Sequence, residues 1–146
     1  MSININLNDA LIASTAEKTA RARTLLAEIA RDFSPVTFAN SLGAEDMVLT
    51  DLIVKEKLDI EIFSLDTGRL PLETYDLMAK VQAHYGLKLK FFYPNHNAVE
   101  ALTREHGINA FYDSVELRKA CCHVRKVEPL GRALAGKQAL RSSTLS

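Results

Sequence analysis

Cysteine is scarce in this sequence. The 146 residues hold two, and they are neighbours, Cys121-Cys122. A disulfide between adjacent residues is strained, so no disulfide framework is expected. Reduced thiols point to the cytoplasm. Long apolar runs are also missing: none approaches the ~20 residues that span a bilayer, so no membrane partner is expected. The first ten residues, M-S-I-N-I-N-L-N-D-A, lack the basic and apolar stretches of a secretory signal. They lack the Arg/Ser richness of a transit peptide as well. Net charge is absent, since 18 Lys+Arg balance 18 Asp+Glu. That removes the compositional reason to expect a nucleic-acid partner. No internal repeat, low-complexity tract or interdomain linker breaks the chain.

What is present fits one globular domain with a real core. Hydrophobic residues make up 47% and charged residues 25%, ordinary values for such a domain. Asn8 or Asp9 can cap a first helix running to about Arg31, which Asp32-Phe33-Ser34-Pro35 ends. A strand is expected at Val36–Ala39 and a helix from Ala44 to Lys57. A second strand follows at Ile60–Leu65. Pro71 and Gly86 bracket a third helix, Pro71–Tyr85. The third strand is expected at Leu87–Tyr93, with the Phe91-Phe92-Tyr93 cluster read as buried. Ala98–His106 should form a short helix closed by Gly107, and Asn109–Asp113 a loop. The stretch from Val115 to Ala135 should be helical, with a break or a fresh start at Pro129. The tail from Gly136 loses apolar periodicity and is expected to fray. The domain is thus read as residues 1–135 and the tail as 136–146.

Strands alternating with helices imply an α/β fold with a mostly parallel sheet. Ligands on such sheets bind outside the carboxyl ends of the strands. Two turns lie there. The first, S-L-G-A-E-D (Ser41, Leu42, Gly43, Ala44, Glu45, Asp46), joins a strand to a helix start. Free amides and the helix dipole favour an anion at such a turn. Gly43 is expected to supply close approach or a positive φ, and Ser41 a hydroxyl. No Gly-Lys-Ser/Thr follows, so it is not a Walker A loop, and it is not G-x-G-x-x-G. The second turn, L-D-T-G-R (Leu65, Asp66, Thr67, Gly68, Arg69), places a planar cation on the same rim. Seven Lys/Arg against one acid between Arg118 and Arg141 add a basic segment suited to an anionic ligand. Each turn alone also reads as ordinary βα capping, and the basic segment as a solvated helix face. The histidines at 84, 96, 106 and 123 form no metal-ligand spacing.

The two turns and a third stretch, K-A-C-C-H-V-R-K-V-E-P-L-G-R-A-L (Lys119–Leu134), resemble the assimilatory adenylyl-sulfate and phosphoadenylyl-sulfate reductases. The resemblance covers about Phe33 to Leu134. It implies an adenine nucleotide α-hydrolase-like (PP-loop) three-layer sandwich, cut short at its C-terminus. The implied activity is thioredoxin-dependent reduction of adenosine 5′-phosphosulfate to sulfite and AMP. By resemblance, Ser41–Asp46, Leu65–Arg69 and Arg125 would line the substrate pocket. Cys121 and Cys122 would ligate a [4Fe-4S] cluster, and Lys126 would act between cluster and sulfate. Thiolates hold such clusters and nearby cations tune them.

The chain departs from the family as well. A [4Fe-4S] cluster takes four thiolates, and only two are present. The family's later C-x-x-C pair and its terminal Glu-Cys-Gly-Leu-His, which carries the nucleophilic Cys, have no counterpart. The expectation is therefore a nucleotide-binding part without turnover of its own. Alternatives are a non-catalytic module holding AMP, and an ATP pyrophosphatase on the same fold. A homo-oligomer sharing one cluster between two chains is the remaining partner expectation.

Overall fold

The structure, a computed structural model, describes residues 8–140. Helix α1 spans Asp9–Asp32, and its cap is Asn8, whose side chain accepts from the Leu11 amide at 2.8 Å. Strand β1 is Val36–Ala39, α2 is Ala44–Lys55 and β2 is Ile60–Leu65. Then come α3 (Leu72–Tyr85), β3 (Lys90–Phe92) and α4 (His96–His106). Gly86 ends α3 with a φ of 59°, the left-handed exit expected of that glycine.

Among the described residues the sheet has four parallel strands, the last being β4 (Gln138–Leu140), in the order β3-β2-β1-β4. Val36, Phe38, Ile60 and Ile62 face a core filled by Leu26 of α1, by Leu49, Leu52 and Ile53 of α2, and by Val81 of α3. Thr37 and Phe63 are also fully buried. Burial on both faces fits the short, mostly apolar run of β1, whereas β2 alternates at first, with Glu61 half-buried. Phe63 meets Phe92 edge to face at 5.7 Å between ring centroids.

Three stretches differ in detail from expectation, one of them the break that was expected at Pro129. The third strand shrinks to Lys90–Phe92. It pairs only with β2, at Phe63, Ser64 and Leu65, so it is an edge strand. Lys90 and Tyr93 are exposed, so the aromatic cluster is half-covered, not buried. The long final helix is three pieces: α5 (Val115–Cys122), a π-helical turn (His123–Val127) and α6 (Glu128–Leu134). Pro129 is the physical reason. It has no amide for an i→i−4 bond, and its ring crowds that carbonyl. The chain widens just before it, with the Glu128 amide reaching back five residues to His123 O.

The third difference is the tail. Gln138–Leu140 do not fray; they form β4, paired parallel to β1 at Val36, Thr37 and Phe38. Only residues 141–146 of the expected tail lie outside the described residues. Lys137 leads into β4 and bonds the Glu61 carboxylate, which Lys90 also reaches at 2.8 Å. These two ammonium groups, Lys137 first, hold the Glu61 carboxyl below the usual carboxylate range. A depressed folded pKa means the contribution is present above the unfolded value, about 4.3, and is lost as pH falls through the folded one. Urea unfolding from pH 7 down to pH 3 should therefore show the wild type losing stability faster than Glu61→Gln. Equal slopes would remove Glu61 from the account.

Candidate functional site

A cavity of about 270 Å³ opens where the carboxyl ends of β1 and β2 meet α3 and the π turn. Its walls are mostly apolar: Ala39, Leu42, Phe63, Leu65, Leu70 and Met78. Asn40, Ser41, Ser64, Thr67 and Thr74 supply polar edges. Lys126 is the single charged side chain among the described residues that line it. This is room for a purine base and ribose, with one cation at the side.

The first turn is built by Asn40, which sequence reasoning passed over. Buried at the end of β1, it donates through Nδ2 to Thr50 Oγ1 at 2.9 Å. Its Oδ1 accepts from the Leu42 amide at 2.7 Å. Its carbonyl accepts from Ser64 Oγ at 2.7 Å, which ties β1 to β2. Thr50 in turn donates to the Asp46 carbonyl at 2.8 Å. The one hint in the sequence was a polar residue directly after an apolar strand. Nothing in it pointed to Thr50 or Ser64.

Two expectations for this turn change. The left-handed residue is Leu42, with a φ of 68°, and not Gly43, whose φ is −73°. The Asn40 side chain folds the Leu42 amide back onto itself, and that contact fixes the bend. The amides of Ser41, Leu42 and Gly43 are also taken by acceptors of the protein itself. Ser41 N and Oγ both donate to Asp46 Oδ2, at 2.7 and 2.5 Å, and Gly43 N donates to Ser41 Oγ at 3.3 Å. A carboxylate of the protein itself takes that place, because the first helical turn brings Asp46 back over Ser41. Ser41 and Leu42 reach the cavity; Gly43, Ala44, Glu45 and Asp46 are outside its lining.

The second turn divides in the same way. Leu65 and Thr67 line the cavity. Asp66 closes the turn, with Oδ1 accepting from the Gly68 amide and from Tyr75 Oη, both at 2.8 Å. That hydrogen bond raises the Tyr75 pKa above the usual phenol value. Arg69 points elsewhere than expected. Its guanidinium donates to Ile108 O at 3.3 Å and Asn109 Oδ1 at 3.1 Å and stacks 4.6 Å above Phe111. The aromatic face and two neutral acceptors take the cation, so it clamps the loop after α4. Arg125 also lies outside the lining: its guanidinium reaches Thr67 O at 2.7 Å.

Cys121 is half-buried and Cys122 exposed, at the end of α5, four residues before Lys126. Among the described residues no three His, Cys, Asp or Glu side chains gather as a metal site. Two thiolates are half the ligand set of a [4Fe-4S] cluster, so the residues here do not by themselves fit one.

Residues 35–142, nearly the whole sheet with its helices, match the phosphoadenosine phosphosulfate reductase domain. The chain belongs to that family. Relatives named adenosine 5′-phosphosulfate reductase support this membership. The one from Allochromatium vinosum is 50% identical over 122 residues, 84% of this chain and 48% of the relative. The Burkholderia cepacia protein is 52% identical over 126 residues, 86% of this chain and 50% of its own. The chain thus spans about half the length of the curated relatives it matches. A crystal structure of phosphoadenylyl-sulfate reductase from Candida auris, in complex with phosphate, superposes with a TM-score of 0.71. That likeness covers 96% of this chain and 70% of the other at 23% identity, and it shows a shared fold. Family membership accounts for the α/β architecture. Within the reductase-domain family match, the cavity and Lys126 are this chain's own observed geometry.

Proposed function

We propose that this chain is the nucleotide-binding half of an adenosine 5′-phosphosulfate reductase of sulfate assimilation. The cavity carries this reading: an apolar slot beside a lysine, at the strand ends where α/β sheets bind ligands. Phe63, Leu70 and Met78 take the adenine ring. Lys126 takes the charge of the phosphosulfate, or of the AMP that remains. In the reaction two electrons, supplied by a thioredoxin dithiol that leaves as a disulfide, reduce the sulfur to sulfite and release AMP. Within this chain the residues bind and orient. Neither Cys121 nor Cys122 is assigned the nucleophile, so the chain alone turns nothing over. A [4Fe-4S] cluster would need two thiolates beyond Cys121 and Cys122, and no step is routed through it here. A cytoplasmic setting with reduced thiols is part of the same proposal. Among the described residues no helix is long and apolar enough to cross a membrane.

Titration calorimetry tests the reading. One equivalent of AMP should bind with measurable heat, and adenosine 5′-phosphosulfate should compete for the same site. No heat with either nucleotide would overturn it.

A further inference from the structure

Arg125 has an unusual position for a basic residue next to an anion site. Its terminal nitrogen donates to Thr67 O at 2.7 Å, across 58 residues of sequence. A Cβ on Gly68 would come within 3.1 Å of that same nitrogen, so the missing side chain leaves the passage for the guanidinium. The Arg125 Nε is buried and has no hydrogen-bond partner among the described residues. An unmet buried donor is unfavourable, so the side chain is held there by its other contacts. Arg125 sits in the π turn, and the next residue, Lys126, lines the cavity.

We propose that Arg125 is a positioning residue that aims Lys126: its bond to Thr67 beneath Gly68 locks the π turn against the β2–α3 turn. Neighbouring residues on a helix point roughly 100° apart, so anchoring one sets the direction of the next. Pro129 imposes the π turn, and the Arg125 bond fixes how that turn is rotated against the β2–α3 turn. With Arg125 tied to Thr67, that rotation is set and Lys126 stays at the cavity wall. The Thr67–Gly68 backbone, the opposite wall, is fixed by the same bond. This inference rests on the nucleotide reading above for what Lys126 meets, but the brace itself exists without ligand.

The test therefore has two arms. In the ligand-free arm, amide hydrogen exchange is followed in wild type, Arg125→Ala and Gly68→Ala. Arg125→Ala should speed exchange at Gly68 and Arg69 and through the 123–127 turn. Gly68→Ala, which keeps Arg125 but crowds it and strains the backbone at a φ of 77°, should speed exchange in the 123–127 turn too. Unchanged exchange in that turn in both variants overturns the proposal. In the second arm AMP affinity is measured for Arg125→Ala, Arg125→Lys, Lys126→Ala and the double alanine variant. Arg125→Ala should lose roughly tenfold in the wild-type background and nothing further once Lys126 is gone. Arg125→Lys should recover part of the loss. Additive losses, or a lysine no better than alanine, overturn the proposal. Wild type that binds no AMP sinks the nucleotide reading instead, and the exchange arm then decides the brace by itself.

Discussion

Replacing Lys126 by alanine should weaken AMP binding roughly 10- to 100-fold while leaving adenosine almost untouched. The magnitude follows from a hydrogen bond to a charged group, about 1.5–3 kcal/mol, at about 1.4 kcal/mol per tenfold. The direction follows from the lining. Lys126 is the only charged side chain among the described residues of the cavity wall, and the amides of Ser41, Leu42 and Gly43 already have protein acceptors. Arg69 is engaged by Ile108, Asn109 and Phe111. The anion therefore depends on Lys126 more than on either rim turn. Parallel titrations with AMP and adenosine read this out. Equal losses for both ligands would show that Lys126 acts on the base or the fold, and not on the charge.

The second large effect is expected at Asn40. Asn40→Ala should destabilise the chain by about 2–4 kcal/mol and abolish nucleotide binding. Its side chain satisfies the Leu42 amide and Thr50 Oγ1 in a buried setting, and both lose a partner together. Each unmet buried group costs on the order of 1–3 kcal/mol. Leu42 then has no reason to remain at a φ of 68°, a conformation that costs a non-glycine residue about 1–2 kcal/mol. The wall formed by Ser41 and Leu42 collapses with it. Asn40→Asp is the companion variant. It can still accept from Leu42, but it cannot donate to Thr50, and it buries a charge. Urea unfolding of both variants measures the cost. A loss under about 1 kcal/mol for Asn40→Ala would mean the turn is held by Asp46 and Ser41 alone.

These two residues divide the binding task. On the proposed reading, Asn40 sets the backbone before any ligand arrives, and Lys126 meets the charge that arrives. A preorganised wall spends little of the binding energy on ordering the loop. Ser64 and Thr50 belong to the same scaffold, since they fasten the turn to β2 and to α2.

Much of this was legible from residue order. Asn8, Gly86 and Gly107 marked helix ends through chemistry that acts within a few residues. The runs Val36–Ala39 and Ile60–Leu65 showed strands, and their alternation with helices implied a parallel sheet. Two polar turns after those strands marked the rim where the cavity opens, and Pro129 announced the break that became the π turn. The three motifs in order also sufficed to suggest the reductase family, to which residues 35–142 do belong.

Other features depended on partners far away in the chain. Gln138-Ala139-Leu140 carries no strand pattern, and it becomes β4 because β1, about a hundred residues earlier, offers an open edge. Asn40, Thr50 and Ser64 are ordinary polar residues until the sheet and α2 bring them together. Arg69, Arg125 and Lys126 are three cations near one rim, and their order cannot say which faces the cavity. Rotation of a helix and the reach of an aromatic ring decide that: Arg69 to Phe111, Arg125 to Thr67, Lys126 to the ligand's side. Residue order alone settled the α/β frame, the rim and the family, because local propensity and burial pattern are written residue by residue. Which cation faces the cavity, and which acid closes its turn, came from tertiary contacts, because side-chain direction is set between segments the chain keeps apart.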